Sequence, residues 1–151
     1  MTATDRRNVL ALLGAGALAG LAGTGQAGTQ SAAPARARPA ADLRFIAEAE
    51  RMRLQAVAAG DQSYGAVLVK ADAIVGWGPS RAVTQRNSNA HAERVAIWDA
   101  QARLGTKDLS GTVLYSTSIP CAACQAEAAR FGVARMFWGP KGVDAGVPRG
   151  G

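Results

Sequence analysis

The sequence predicts an α/β fold in which helices cover a mixed β-sheet. A chain of 151 residues is long enough for one domain, and a hydrophobic content of 48% is sufficient for a core. Apolar residues recur at helical spacing in three segments, and four short apolar runs have the length and bounding turn residues of strands. The order is α-β-β-α-β-α-β, and helices that alternate with strands require crossover connections.

Residues 1–41 are predicted to be an export leader and a disordered linker, so the domain is expected to span residues 42–151. Arg6 and Arg7 precede a long uncharged run rich in Ala, Gly and Leu. This pattern is typical of a twin-arginine secretory leader and indicates an exported, periplasmic protein. The alternative is an uncleaved leader that anchors the chain to the membrane, although its strongly apolar part is short for a span of ~20 residues. We expect no stable membrane span in the mature chain.

The first half of the domain predicts one helix and a β-hairpin. Asp42 is a suitable N-cap, and apolar residues at helical spacing follow it as far as Gly60. Residues 64–69 and 73–77 are predicted strands, and the turn between them is short enough for a hairpin. A polar loop follows the hairpin.

The second half alternates helix and strand twice. Helices are predicted over residues 90–104 and 120–131, and each is followed by a glycine that can end it. Strands are predicted over residues 112–116 and 134–138. The dipeptide Gly139-Pro140 is expected to end the last strand.

The soft metal ligands of the chain form one set. His91 is the only histidine, and Cys121 and Cys124 are the only cysteines. Three such ligands are typical of a catalytic Zn²⁺ site, which leaves a fourth position for water. The cysteines stand i, i+3 near a helix start, where the helix dipole favours thiolates. Glu93 stands two residues after His91, so an ideal helix would not place the two side chains on one face. Glu93 is therefore not expected to bind the same ion, and it is free to carry protons. A redox dithiol or disulfide is the alternative for a C-x-x-C in an exported protein.

Charge and composition restrict the partners. The whole chain carries a formal charge of +6, but residues 42–151 hold 13 basic and 10 acidic side chains without an obvious basic cluster. Nucleic-acid binding normally requires a clustered basic face, so we do not expect a nucleic-acid partner. The chain has no glycine-rich phosphate loop, and two cysteines cannot form a multi-disulfide scaffold.

At these residues the chain resembles the cytidine deaminase-like zinc-dependent deaminases, which include cytidine, deoxycytidylate, guanine and tRNA adenosine deaminases. The H-A-E motif of that superfamily stands at residues 91–93, and P-C-x-x-C stands at residues 120–124. Its strand entry P-[FY]-G-A corresponds to residues 63–66, and its Gly-Val-x-Arg to residues 132–135. The resemblance implies a three-layer fold, Zn²⁺ as cofactor, and hydrolytic deamination of a small nucleobase or nucleoside with release of ammonia. Glu93 is then the proton carrier.

The resemblance also implies candidate substrate contacts at Tyr64, Ser80, Asn89 and Ala92. Ser80 stands where the family motif G-x-G-x-N has an asparagine that contacts the base. Tyr64 is an aromatic candidate for the pocket wall. Asn89 has a second possible role as the cap of the helix that follows it.

Departures from the family pattern keep an inactive binding module open, whereas a tRNA adenosine deaminase is the alternative within the enzyme class, against which export, modest charge and the short C-terminus count. Ile119 replaces a glutamate that often precedes P-C, and the chain ends soon after its fourth predicted strand, where family members usually continue. We therefore expect a C-terminally short version of the fold. The alternatives are a catalytically inactive, zinc-stabilised binding module and a tRNA adenosine deaminase. Because family members commonly pair through their helices, a homodimer or other homo-oligomer is expected.

Overall fold

The computed structural model describes residues 40–151. The predicted leader and linker lie outside this part except for their last two residues. The helices are α1 (Leu43–Ala58), α2 (Ala92–Leu104) and α3 (Ala122–Arg130), and the strands are β1 (Gly65–Lys70), β2 (Ala73–Pro79), β3 (Thr112–Ser116), β4 (Arg135–Trp138) and β5 (Val143–Gly146). Among the described residues, no helix has both the length and the apolar character needed to cross a membrane.

The five strands form one mixed sheet in the order β2-β1-β3-β4-β5. Strands β3 and β4 pair in parallel, and the other three pairs are antiparallel. The parallel pair is joined by α3, which supplies the crossover that such a connection needs. The predicted α/β fold with a mixed sheet is confirmed.

Both faces of the sheet are covered, so the fold has three layers. Alternate residues of a strand point to opposite faces. In β1, Ala66 and Leu68 pack on one face with residues of α2 and α3, whereas Val67 and Val69 pack on the other face with α1. All four side chains are at most 5% exposed, which explains why β1 is a continuous apolar run in the sequence.

Strand β5 was not predicted from the sequence, and helices α2 and α3 begin later than predicted. Residues 139–142 do not end the sheet, because they form a turn that returns the chain along β4. Asp144 of β5 accepts hydrogen bonds from Arg135 of β4 at 3.0 and 2.5 Å. Helix α2 begins at Ala92 rather than at residue 90, and α3 begins at Ala122 rather than at residue 120.

Two glycines of β2 allow α2 to lie directly on the sheet. A Cβ atom at Gly76 would lie 2.2 Å from the carbonyl oxygen of Ala96, and one at Gly78 would lie 2.0 Å from the carbonyl oxygen of Ala92. Real Cβ atoms do not approach backbone atoms so closely, so only glycine fits at both positions. The G-x-G spacing therefore sets how closely the first turn of α2 approaches the sheet.

Candidate metal centre

The three predicted metal ligands meet where α2 and α3 begin. His91 is the N-cap residue of α2, and Cys121 is the N-cap residue of α3. The Cys121 Sγ accepts the backbone N–H of Cys124 at 3.4 Å, which satisfies one free N–H of the first turn. The positive ends of two helix dipoles are thus directed at the same point, where they favour bound thiolates.

The spacing of the three donor atoms fits a zinc ion. The Nδ1 atom of His91 lies 3.7 Å from Cys121 Sγ and 3.5 Å from Cys124 Sγ, and the two sulfurs are 3.4 Å apart. A tetrahedral ion with Zn–S near 2.3 Å and Zn–N near 2.0 Å separates its ligands by about 3.5–3.8 Å. These are the only three described residues grouped closely enough to hold a metal through His, Cys, Asp or Glu atoms.

Glu93 lies beside this set but does not belong to it. Its side chain is buried, and its Oε2 is 3.7 Å from Cys124 Sγ. Burial raises the pKa of Glu93, while its own backbone N–H and the neighbouring His91 act in the opposite direction. A carboxyl group with a raised pKa next to a metal site is suited to take up and release protons.

The buried thiol of Cys124 is unfavourable as a thiolate unless a cation is bound beside it. Burial raises the pKa of Cys124, and the negative charge of Glu93 raises it further. Two acidic groups in contact at a buried site destabilise each other's charged forms. A divalent cation between the ligands would stabilise the thiolates and oppose both effects.

A cleft of about 250 Å³ opens onto the donor atoms. His91, Glu93 and Cys121 lie in one part of its wall, together with Ala92. The remaining wall consists of the polar side chains Gln62 and Ser118 and the large side chains Tyr64 and Ile119. Tyr64 is 46% exposed and Ile119 is 64% exposed, so both lie at the open side of the cleft.

Ser80 does not lie in the wall of this cleft. It is 2% exposed, and its hydroxyl donates to Asp61 Oδ1 at 2.9 Å. Asp61 also accepts the N–H groups of Val83 and Thr84 and the Thr84 hydroxyl through its Oδ2, at 2.7–3.0 Å. Its carboxylate therefore fixes the start of the loop between β2 and α2, and Ser80 is part of that structure.

Asn89 also lies outside the cleft wall, and it does not cap α2. The N-cap position belongs to His91, which makes no side-chain capping bond, so the helix-cap role predicted for Asn89 is wrong. The Asn89 side-chain oxygen instead accepts a hydrogen bond from Arg94 Nη1 at 2.8 Å. Of the four predicted substrate contacts, Tyr64 and Ala92 line the cleft.

Gln62 and Asp61 were not among the residues predicted for the site. Gln62 lies in the cleft wall, and its side-chain amide has no hydrogen-bond partner among residues 40–151. Asp61 accepts the backbone N–H of Gln62 at 2.7 Å and so ties this wall to the loop before α2. Their one sequence signal is their place between Gly60, which follows α1, and the strand entry at Tyr64.

The motifs and their geometry match one known family. A model of the cytidine and deoxycytidylate deaminase zinc-binding region matches residues 39–140. The chain belongs to the cytidine and deoxycytidylate deaminase family. The match includes all three ligands, Glu93 and the whole sheet except β5.

Two curated relatives represent different deaminases of this family. The chain is 36% identical over 80 residues to the tRNA-specific adenosine deaminase of Aquifex aeolicus. The aligned segment covers 53% of this chain and 53% of that protein. It is 36% identical over 81 residues to the guanine deaminase of Bacillus subtilis, and this alignment covers 53% of this chain and 52% of that protein. The chain thus spans about half the length of these two relatives.

Solved structures show the same fold. A tRNA:A34 deaminase that edits A to I at the wobble position superposes with a TM-score of 0.63 at 30% identity, over 68% of this chain and 76% of that one. The crystal structure of the Bacillus subtilis guanine deaminase superposes with a TM-score of 0.60 at 31% identity, over 63% and 61%. The predicted cytidine deaminase-like fold is therefore confirmed.

Proposed function

We propose that this protein is a zinc-dependent hydrolase that deaminates a small nucleobase or nucleoside and releases ammonia. The observation that carries the proposal is the buried Glu93 carboxylate beside the Cys121, Cys124 and His91 donor set, at the end of an open cleft. Membership of the deaminase family supports it.

The chain's own residues account for the steps that move protons. Zn²⁺ held by His91, Cys121 and Cys124 would supply Lewis-acid activation of water. Glu93 Oε2 takes the proton of the attacking water and passes it to the ring nitrogen beside the carbon that bears the amine. Glu93 then delivers the second proton to the departing amine. One water molecule is consumed, a C–N bond is replaced by a C–O bond, and ammonia leaves.

The rest of the cleft supports a single planar base as the substrate. A volume of about 250 Å³ is below the range of roughly 300–1,000 Å³ that holds drug-sized ligands. Tyr64 and Ile119 offer large apolar surfaces on which a ring can lie, and Gln62 offers one donor and one acceptor to its edge. We propose Gln62, Tyr64 and the segment at Ala92 as substrate contacts.

The test combines zinc content with ammonia release from the purified full chain, using cytosine, cytidine, guanine, guanosine, adenine and adenosine. We expect about one zinc per chain and ammonia from one of these compounds. The matched variant Glu93→Gln keeps the size and burial of the side chain, so zinc content should be retained. Its turnover should fall by roughly 10²–10⁴-fold, the usual contribution of a general acid–base group. Unchanged turnover in this variant would refute the mechanism.

A tRNA adenosine deaminase is the second candidate, because one of the two curated relatives and one of the solved structures described above carry that activity in their names. Adding a tRNA anticodon stem-loop with adenosine at the wobble position to the panel separates the two. Ammonia from the stem-loop alone would favour editing. Zinc without ammonia from any compound would favour a binding module, and a Cys121–Cys124 disulfide without zinc would favour the redox alternative.

We further propose that the protein is exported through its twin-arginine leader. The support is the sequence pattern around Arg6 and Arg7. Replacing both arginines by lysine should retain the protein in the cytoplasmic fraction, whereas equal periplasmic amounts of both forms would argue against this route.

Self-association is proposed as well. Three large apolar side chains of helix α1 are between 48% and 59% exposed, namely Leu43, Leu54 and Val57. Exposed apolar side chains that share one helix are candidates for an interface. Light scattering on the purified chain should give twice the mass of one chain or more, and a monomer at high concentration would contradict it.

A further inference from the structure

One partly buried ion pair joins the two helices whose starts hold the proposed metal ligands. Arg94 of α2 donates to Glu127 Oε2 of α3 from Nε at 2.8 Å and from Nη2 at 2.5 Å. The side chains are 19% and 14% exposed, which makes this the most buried of the salt bridges among residues 40–151. It is also the only one in that part that connects α2 to α3.

Two further hydrogen bonds extend the pair. Trp98 Nε1, one turn along α2 from Arg94, donates to Glu127 Oε1 at 2.7 Å. Arg94 Nη1 donates to Asn89 Oδ1 at 2.8 Å, two residues before His91. Both carboxylate oxygens of Glu127 are therefore engaged, and Arg94 reaches the segment before α2 as well as α3. We call Asn89, Arg94, Trp98 and Glu127 the α2–α3 brace.

The brace spans the same gap as the metal donors. Arg94 directly follows Glu93, and Glu127 lies one turn beyond Cys124 on α3. The contact between His91 Nδ1 and Cys124 Sγ, at 3.5 Å, crosses from α2 to α3 as the ion pair does. Helix α2 packs mainly on the sheet, whereas α3 packs more closely against α2 than against any strand. The brace therefore contributes to the position of the α3 start relative to the α2 start.

We propose that Arg94 and Glu127 are positioning residues that hold His91 and the two thiols at metal-binding separation before the ion arrives. This inference rests on the zinc site proposed above. Neither residue lies in the cleft wall, so neither is expected to contact the substrate. Partners that orient metal ligands from outside the donor set typically contribute 10–100-fold to metal affinity.

The chain offers a matched control for the test. Arg135 and Asp144 form an ion pair of similar length and burial, with Nη2–Oδ2 at 2.5 Å and side chains 21% and 25% exposed. This pair joins β4 to β5 and touches neither metal-bearing helix. Glu127→Gln and Asp144→Asn each remove one charge and keep the shape of the side chain. Both should lower the melting temperature of the apoprotein, since each leaves a partly buried arginine without its charged partner.

The experiment measures the zinc dissociation constant of the full chain by competition with a chromophoric chelator. The visible spectrum of the Co²⁺-loaded protein reports ligand geometry. Glu127→Gln should weaken zinc binding 10–100-fold and alter the Co²⁺ bands, whereas Asp144→Asn should leave both within twofold of wild type. Arg94→Lys keeps the charge but loses the second hydrogen bond, so a smaller loss is expected. It also serves as the test variant if Glu127→Gln does not fold.

Two results would overturn the inference. Wild-type zinc affinity in Glu127→Gln, or in Arg94→Lys where that variant stands in, would show that the helix starts are positioned without the brace. An equal loss in Asp144→Asn would show that the effect is only general destabilisation. If the wild type itself binds no zinc, the proposed site and this inference fail together, and the wild-type measurement identifies that case before any variant is made.

Discussion

Replacing Gly78 by alanine tests how the sheet sets the position of the metal-bearing helix. The added Cβ would lie 2.0 Å from the Ala92 carbonyl oxygen and 2.7 Å from the Ala96 nitrogen. Ordinary contacts require about 3.5 Å, so the first turn of α2 must retreat by at least about 1 Å. Both clashing atoms belong to backbone, so no side-chain rotation relieves them. Overpacking of this kind typically costs about 1–3 kcal/mol and occasionally more.

Ala92 stands between His91 and Glu93, so the same displacement moves a proposed metal ligand and the proposed proton carrier. We expect Gly78→Ala to lower the melting temperature of the apoprotein by roughly 4–12 °C, given about 4 °C per kcal/mol for a domain of this size. We also expect zinc binding to weaken by at least tenfold, because tetrahedral ligation tolerates donor shifts of only about 0.2 Å.

Gly76→Ala is the control for this prediction. Its Cβ would lie 2.2 Å from the Ala96 carbonyl oxygen, so it overpacks the same helix about one turn further from the metal. The two variants should lose similar stability in differential scanning calorimetry of the apoproteins, and Gly78→Ala should lose more zinc affinity. Wild-type stability and affinity in Gly78→Ala would refute the claim that β2 determines the position of α2.

Three other predictions concern the cleft and its supports. Burial raises the pKa of Asp61, but the hydrogen bonds from Thr84, Gln62 and Ser80 outweigh it and hold this pKa below its usual range. Asp61 therefore stabilises the folded state above a pH near 4, and this contribution is lost as the pH falls further. Acid titrations of the wild type should show a steeper loss of folding stability than those of Asp61→Asn. Gln62→Ala should raise KM about 3–10-fold and change kcat by less than twofold. Ser80→Ala should lower the free energy of unfolding by about 1 kcal/mol and leave KM unchanged. The reverse pattern would show that Ser80 contacts the substrate. Chelation of zinc should lower the melting temperature of the wild type, because a ligand at 1,000 times its Kd stabilises the folded state by about 4 kcal/mol. If the Cys121 thiol is a ligand, chelation should have no effect on the melting temperature of Cys121→Ser.

Most of the fold could be predicted because local patterns and tertiary structure agree. Strand β1 is apolar on both faces because helices cover both, and Asp42 caps α1 through a bond from the Arg44 N–H. Strand β5 could not be predicted, because Val143–Gly146 has one β-branched residue and two small ones, and three of its four residues are only partly buried. Its place in the sheet depends on pairing with β4 and on Asp144, neither of which is visible in its own composition.

The donor set could be predicted because sequence spacing determines it. His91, Cys121 and Cys124 are the only residues of their types, and each stands at or near a helix start. The positions of Ser80 and Asn89 could not be predicted in the same way. Each has a polar side chain whose direction depends on a charged partner, Asp61 for Ser80 and Arg94 for Asn89, and the pairing is not visible in the sequence pattern. Both partners are stronger hydrogen-bonding groups than a neutral base edge.

The capture of Ser80 by Asp61 has a consequence for substrate recognition. A buried hydroxyl that already donates to a carboxylate has little to offer a base, and breaking that bond would leave Asp61 with less compensation for its burial. For the base proposed as substrate, we expect the edge contact to come instead from the Gln62 amide, which lies in the cleft wall and is free among the described residues. Asp61 also accepts the backbone N–H of Gln62. The same carboxylate therefore keeps the Ser80 hydroxyl out of the site and positions the residue that carries the Gln62 amide. Substrate preference in this chain is therefore expected to depend on the segment between α1 and β1 rather than on the end of β2.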